Sequence, residues 1–422
     1  MATKYQDFRL MKTNEKDTKQ GVVPALRFPE FKTLAPWQTD TVDNLVSTIT
    51  PPCKLNTSEY QKTGEYPIVD QSQDLYCGWT NNQSAVIFQH FPLIIFGDHT
   101  CVIKLINRPF AQGADGIKIL KSRGLVDPHF LYQCLENKPI TQESYKRHFA
   151  LLRSKIIAYP PKKTREQQKI AECLSSIDAL IKAAENKIDE LKAHKKGLMQ
   201  QLFPAEGKSV PALRFPEFQN AGEWTKGPLS RIGEVLQGYG FPEKYQGKSL
   251  GKYPFYKVSD ISKAVQTGCN FISKAANYID DEELDILKIK TIPPGTTIFA
   301  RIGEAIRLNR RIVTTQKCII DNNTVGIKAI PENAIDLFMY YILLQIDLID
   351  FAGGVVPAVT KSAIENIPIY CPPTKSEQQK IADCLSSVDD LITIQTNRLE
   401  ALKAHKKGLM QQLFPNIDDR EE

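Results

Sequence analysis

The 422-residue sequence lacks a run of eighteen apolar residues, so no membrane-spanning helix is expected. Its opening twenty residues are polar and mixed in charge. They carry no apolar core of an export signal, which points to a cytoplasmic protein. Paired cysteines are missing too. The nine thiols (Cys53, Cys77, Cys101, Cys134, Cys173, Cys269, Cys318, Cys371, Cys384) form no C-x-x-C, and none has a histidine at metal-ligand spacing. Free thiols and no metal site are expected.

Catalytic signatures are equally scarce. No G-x-x-x-x-G-K-[ST] phosphate loop occurs. Four Pro-Pro pairs are present, but none extends to the Asn/Asp-Pro-Pro-Tyr/Phe of an adenine methyltransferase. Gly238-Tyr239-Gly240 lacks the third glycine of a dinucleotide loop and reads as a turn. Glu190-Leu191-Lys192 has the spacing of a nuclease tail, but the second copy of this segment breaks it. His194 and His405 have no nucleophile beside them in a recognisable motif and read as solvated residues. No catalytic residue is expected. The net charge of +6 and pI near 8.6 permit nucleic-acid binding without requiring it.

Repetition is what the chain has instead. LKAHKKGLMQQLFP runs over Leu191–Pro204 and again over Leu402–Pro415. From Arg165 and Ser376 to those prolines, roughly 28 of 40 positions are identical. VPALRFPEF also occurs twice, at Val23–Phe31 and Val210–Phe218, with Trp37 and Trp224 at matching distance beyond. The order is therefore tag, variable block, long helix, and the same again. Expected segments are a polar arm (1–22), a first domain (23–160), a first helix (161–204), a second domain with linker (205–373), a second helix (374–415) and a tail (416–422).

In the first long segment apolar residues fall at Leu174, Ile177, Ile181, Ala184, Ile188, Leu191, Leu198 and Leu202, a heptad seam. Its counterpart carries Leu385, Val388, Ile392, Leu399, Leu402, Leu409 and Leu413, with Gln395 in the seam. Lys195 and Lys406 interrupt the two seams at one matched level. Either their stems lie along apolar surface or they set register. Thr164 and Ser376 are expected N-caps, and Gly197 and Gly408 are expected to end or bend the helices. About 38 residues at 1.5 Å each give a helix near 57 Å. One such seam cannot bury itself, whereas two matched seams can bury each other as an antiparallel coiled coil with pseudo-two-fold symmetry. The apolar surplus at the ends (Leu198, Met199, Leu202, Phe203, Leu409, Met410, Leu413, Phe414) is expected to contact partner subunits or to pack against the heads.

Both variable blocks mix short β-branched runs, turns and a helical stretch, and read as related α/β (α+β) domains. Both contain Gly-Ile-Lys, at Gly116–Lys118 and Gly326–Lys328, which is taken as a matched position. Their polar decoration differs. The second gathers Arg301, Arg307, Asn309, Arg310 and Arg311, joined by Lys257, Asn322 and Asn323. The first offers Gln71, Gln73, His99, Lys104 and Arg108. Arginine reads guanine and glutamine reads adenine through paired hydrogen bonds, so these are the candidate DNA contacts. Asp98 and Asp115-Gly116 read as turn residues. A coiled-coil adaptor with no DNA role is the rival reading.

PPKKTREQQKIAECLSSID, PPTKSEQQKIADCLSSVD and the doubled LKAHKKGLMQQLFP resemble the DNA-specificity subunits of type I restriction-modification systems. YPIVDQSQ, FGDHT and ADGIKIL resemble one class of their recognition blocks. GFPEKYQG, KVSDI and IDNNTVGIKAI resemble another. The first block departs near its end, where RHFALLRSKIIAYPP lacks the Gly-rich turn of FAGGVVPAVTKSAIENIPIYCPP. The resemblance implies that each head reads half of a bipartite site in double-stranded DNA while the helices set the gap. It implies two methyltransferase subunits as partners, bringing S-adenosylmethionine for adenine N6 methylation. A motor-nuclease subunit using ATP and magnesium is a further partner it allows. The subunit itself would hold no cofactor.

Overall fold

A computed structural model of the chain describes residues 21–114, 116–142 and 146–417. Residues 1–20 of the expected polar arm, Asp115 and most of the tail lie outside the described residues, while Val22, at the arm's expected end, is buried and bonded to the Trp37 backbone. Four helices carry the architecture: α1 (Pro128–Asn137), α2 (Glu166–Leu202), α3 (Asp336–Gln345) and α4 (Lys375–Leu413). The chain divides into two compact units, residues 1–181 with 401–422, and residues 182–400. Each unit thus holds one head and a stretch of both long helices. Among the described residues no helix is long and apolar enough to cross a membrane.

In the first unit an antiparallel sheet orders Val46–Ile49, Ile117–Ser122, Leu93–Gly97 and Ile103–Ile106. A second sheet orders Gly78–Thr80, Tyr66–Val69, Phe110–Gln112 and Val86–Ile87. In the second unit a five-stranded sheet orders Gly233–Gln237, Thr324–Ala329, Thr297–Ala300, Ile312–Thr314 and Phe271–Ile272. Three shorter strands, Tyr278–Ile279, Tyr253–Tyr256 and Ile319–Ile320, form its companion. In each unit a two-stranded ribbon, Gln38–Thr41 with Ile156–Tyr159 or Thr225–Pro228 with Pro368–Cys371, brings the end of the head back beside its beginning.

The repeated tag has a structural job that composition does not disclose. Arg27 forks onto Glu166, at 2.7 Å to each carboxylate oxygen, and the Trp37 indole N–H donates to the same carboxylate. Arg214, Glu377 and Trp224 repeat the arrangement at the start of α4. Both glutamates are about 1% exposed in their side chains. A carboxylate in the first turn also suits the positive end of the helix dipole. The neighbouring glutamines fix the heads: Gln167 binds backbone at Leu125, Asp127 and Pro160, and Gln378 binds backbone at Asn333 and Ile335. Each tag also donates a backbone hydrogen bond to the far end of the other long helix, Leu26 N–H to Gln412 O and Leu213 N–H to Gln201 O.

The matched seams are buried or half-buried throughout, from Leu174 and Leu385 at 0% exposure to half-buried Ile181, Leu191 and Leu402. In each unit the late residues of one long helix pack with the early residues of the other, so the two run antiparallel. Leu202 and Phe203 share a core with Ile381 and Leu385. Met410, Leu413 and Phe414 share one with Ile170 and Leu174. The two lysines are paired. Lys195 meets Asp389 at 2.6 Å and Lys406 meets Asp178 at 2.7 Å, one interaction written twice, because the lysines and the aspartates occupy matched repeat positions. Both lysine side chains are largely buried, 15% and 14% exposed; Asp389 is buried with its lysine, whereas Asp178 is 38% exposed. A slip of one helix along the other would strand these ions, and an uncompensated buried charge costs about 3–5 kcal/mol. The register role therefore prevails over simple burial of the stems.

Three local expectations are corrected. The glycines do not end the helices, which run on to Leu202 and Leu413. The cap of α4 is Thr374, whose hydroxyl accepts from Glu377 N–H; Ser376 lies inside the first turn. Thr164 does accept from Glu166 N–H, at 3.4 Å. The two Gly-Ile-Lys triplets do not correspond. Ile49 pairs with Ile119, whereas the equivalent Leu236 pairs with Gly326, a shift of the triplet along the strand.

Candidate nucleic-acid interface

In the second head, Arg301 follows the strand Thr297–Ala300. Its backbone N–H donates to Asn323 O at 2.9 Å, and its Nε donates to Asn322 O at 3.1 Å. The Asp321 N–H binds Tyr256 O, which sets Lys257 next to the exposed Asn322-Asn323 turn. The Lys257 ammonium donates to Gln246 Oε1 at 2.6 Å and stands over the Phe241 ring, which stacks on Phe255 with centroids 3.8 Å apart. Beneath the turn, burial pushes the Asp321 carboxyl above its ordinary pKa, against the hydrogen bond it accepts from Thr324. A strap closes the group: Gly303 N–H donates to Pro357 O, and Val359 N–H donates to Arg301 O. Gly353 and Ala358 bond each other across the strap's tip, which leaves Val355 fully exposed and Val356 62% exposed. Gly354 has φ +90°, a value L-residues avoid, so glycine belongs there.

Arg301, Lys257, Asn322 and Asn323 are thus brought together, while other expected members are not. Arg311 is 3% exposed, lies over Phe299 at 4.7 Å and donates to Ile346 O. Burial lowers its pKa to about 10, partly opposed by Asp347. It is a core cation, because it opens a strand whose next three residues are all buried. Asn309 holds a left-handed turn at φ 48° with its side-chain oxygen buried, so its role is conformational. Arg307 is exposed and pairs with Glu304 one turn away. Arg310 is half-buried.

In the first head the Asp70–Asp74 loop is tethered rather than loose. Lys104 is 4% exposed and donates to Asp70 O and Asp74 O. Burial lowers its pKa against the pull of Asp70. It positions the loop from below and cannot itself reach DNA, which corrects its assignment as a contact. Thr100 donates to Gln71 O at 2.8 Å, and the Gln71 amide lies against Gly116, where a Cβ would meet it at 2.6 Å. Gln73 is exposed on the loop and lines a cleft of about 470 Å³ with Thr100, Gln142 and Lys406. His99 is half-buried, its Nδ1 3.1 Å from Lys146 O. Arg108 is exposed over Trp79, beside another strand. Burial makes Lys104 a scaffold residue, whereas Gln73 keeps a free approach.

The strap of the second head has a counterpart despite the missing glycines. His148 N–H donates to Asp98 O, in the position of Val359 on Arg301, and the Asp98 carboxylate caps Phe149 N–H at 2.8 Å. Docking is by backbone, so glycine content did not reveal it. Sequence reasoning also missed Phe241, Gln246 and the Val355-Val356 tip. Two β-branched residues directly after Gly-Gly were the available signal.

The expected partner-contact residues are largely consumed internally. Leu202, Phe203, Met410, Leu413 and Phe414 are at most 7% exposed within the head cores; Phe203 stacks on Phe338, and Phe414 meets Phe130. Leu198, Met199 and Leu409 remain half-buried.

Each unit carries an α/β head that presents polar loops at a strand end, so the chain is a two-headed α/β protein with an internal repeat. The type I restriction modification DNA specificity domain matches this chain twice, at residues 36–193 and 221–404, and the chain belongs to that family. It is 28% identical over 291 residues to the inferred MjaX type I restriction enzyme specificity subunit of Methanocaldococcus jannaschii. That alignment covers 67% of this chain and spans only 64% of the relative's length. The MjaVIII specificity subunit of the same organism is 23% identical, over 71% of this chain and 72% of its own. The fold is similar to that of the type I restriction-modification S subunit from M. genitalium, with TM-score 0.63, 15% identity, and coverage of 94% of this chain and 100% of the other.

Proposed function

We propose that this chain is the non-catalytic specificity subunit of a type I restriction-modification complex in the cytoplasm. Each head reads one half of a bipartite site in double-stranded DNA, and the paired helices set the unread gap. Methyltransferase subunits join it and supply S-adenosylmethionine for adenine N6 methylation. A motor-nuclease subunit using ATP and magnesium completes the complex where cleavage occurs. Gln73, Arg301, Lys257, Asn322 and Asn323 are the foremost contacts, with His99, Arg108, Arg307 and Arg310 at their margins. The observation that supports this reading best is a single frame built twice around unlike polar loops. An adaptor would have no need for two differently decorated heads.

Mapping methylated adenines in DNA exposed to the reconstituted complex tests it, with a bipartite motif expected. Adding one heptad to both long helices lengthens each by about 10 Å, worth roughly three base pairs. A widened gap with unchanged half-sites supports the ruler. An unchanged gap overturns it, and absence of any motif favours the adaptor.

A further inference from the structure

Both units contain the same groove, where the end of a long helix meets the head. In the first unit it is walled by Cys134, Asn137, Ile157, Ala158 and Phe414, and Ile417 of the tail enters it. Ile417 packs on the core there, Lys138 donates to Asn416 Oδ1, and only about 20 Å³ remains free. In the second unit the matched wall is Ile342, Gln345, Ile369, Tyr370 and Phe203, but the residue in the place of Ile417 is Glu206. There the chain is exposed, turning at Gly207 toward the second tag, and the groove stands open at about 610 Å³.

The charge is inverted as well. Lys138 and Lys155 line the first groove, and the tail that enters it continues as Asp-Asp-Arg-Glu-Glu in the sequence. The corresponding residues of the second groove are Ile346 and Ile367, and its rim carries Glu206, Asp347 and Asp350 against Lys226. Asp347 accepts from Ile349 N–H, and the Lys226 ammonium lies over Tyr370. A like-charged segment pays desolvation and repulsion at such a rim, whereas a basic one gains.

We propose that the second groove is a docking slot for a segment of a partner protein that presents an aliphatic side chain flanked by lysine or arginine. That segment takes the seat which Ile417 takes in the first unit. The acidic tail of a second copy has the right aliphatic residue and the wrong charge. The slot is independent of the DNA-reading loops, so the proposal does not rest on their assignment.

Two labelled peptides test it by fluorescence anisotropy on the full chain, one with Pro-Asn-Ile flanked by lysines and one flanked by aspartates. Saturable binding of the lysine peptide is expected, at least about tenfold tighter than that of the aspartate peptide. Glu206→Ile restores the seat's own plug and should weaken lysine-peptide binding by at least about tenfold while raising the melting temperature. Asp347→Asn with Asp350→Asn should erase the preference between peptides. Equal binding to the E206I chain, no saturable binding, or preference for the aspartate peptide would each overturn the proposal, the last pointing to a second copy. DNA affinity of E206I, unchanged throughout, separates this outcome from failure of the DNA reading.

Discussion

The two units share their joints and differ in their fillings. Arg27, Trp37 and Glu166 recur as Arg214, Trp224 and Glu377, and Asp178 with Lys406 recurs as Asp389 with Lys195. Around the joints, Gln133 binds Asp178 in one unit where Tyr341 binds Asp389 in the other. One head tethers a glutamine loop over a buried lysine; the other stacks a lysine on an aromatic pair and closes with an apolar-tipped strap. Residues that join head to helix are fixed by charge pairing in a dry setting, where few substitutes fit. Residues on loop tips face water and are constrained only by what they touch.

The sharpest way to break this comparison is at the helix starts. Glu166→Ala leaves Arg27 buried and unpaired, and Glu377→Ala does the same to Arg214. Each is expected to cost about 3–5 kcal/mol, read as a fall in urea midpoint. Similar losses in both would establish that the joints are equivalent in energy as well as geometry. A loss in only one would make the repetition purely geometric.

The joints were half legible in the sequence, and for a physical reason. Heptad spacing reports seam burial directly, so both helices and their seams could be read from periodicity, whereas the antiparallel sense shows in the packing of Leu202 with Ile381 and of Leu413 with Ile170. The tag's arginine and tryptophan find their glutamate more than a hundred residues away, and no local pattern encodes such a contact. Among candidate contacts, side-chain type alone did not separate exposed Gln73 from buried Lys104 and Arg311. A cation's chemistry is the same on either face of a strand, and only burial distinguishes a reader from a strut. Identical letters also misled, since Gly-Ile-Lys recurs out of register.

A smaller and more discriminating effect lies at the seam ions. Burial would depress the Lys406 ammonium, but hydrogen bonds to Asp178 and Glu136 outweigh that and hold its pKa above the usual lysine value. A raised folded pKa means that its contribution is complete below about pH 10.5 and fades as pH rises through the folded value. Lys406→Met removes the partner of two carboxylates that water still reaches, Asp178 at 38% and Glu136 at 30% exposure, and should cost about 1–2 kcal/mol. Lys195→Met strands Asp389, a carboxylate only 11% exposed that keeps just the Tyr341 hydroxyl, and should cost about 3 kcal/mol. Urea titrations at pH 9 and pH 11 should show the gap between Lys406→Met and the parent narrowing at the higher pH. An unchanged gap would mean that Lys406 acts through packing of its stem.

The smallest expected change in stability sits at Val355, and there the two heads can be separated by function. Val355→Ser removes no internal contact, since the side chain is fully exposed, so stability should stay within about 0.5 kcal/mol. The strap hangs on the Arg301 carbonyl, so a duplex held by Arg301 and the Asn322-Asn323 turn would meet an apolar tip at its edge. Apolar contact with a thymine methyl, or a wedge at a base step, is the use such a tip has on DNA. Val355→Ser should therefore lower affinity by a few-fold and relax preference only in the half-site read by the second head. Arg301→Ala should cost about 1–3 kcal/mol in that same half. Gln73→Ala should leave that half untouched and relax the other. Selection from randomised duplexes reads all three at once. Relaxation of both half-sites by any one variant would show that the heads do not read separately.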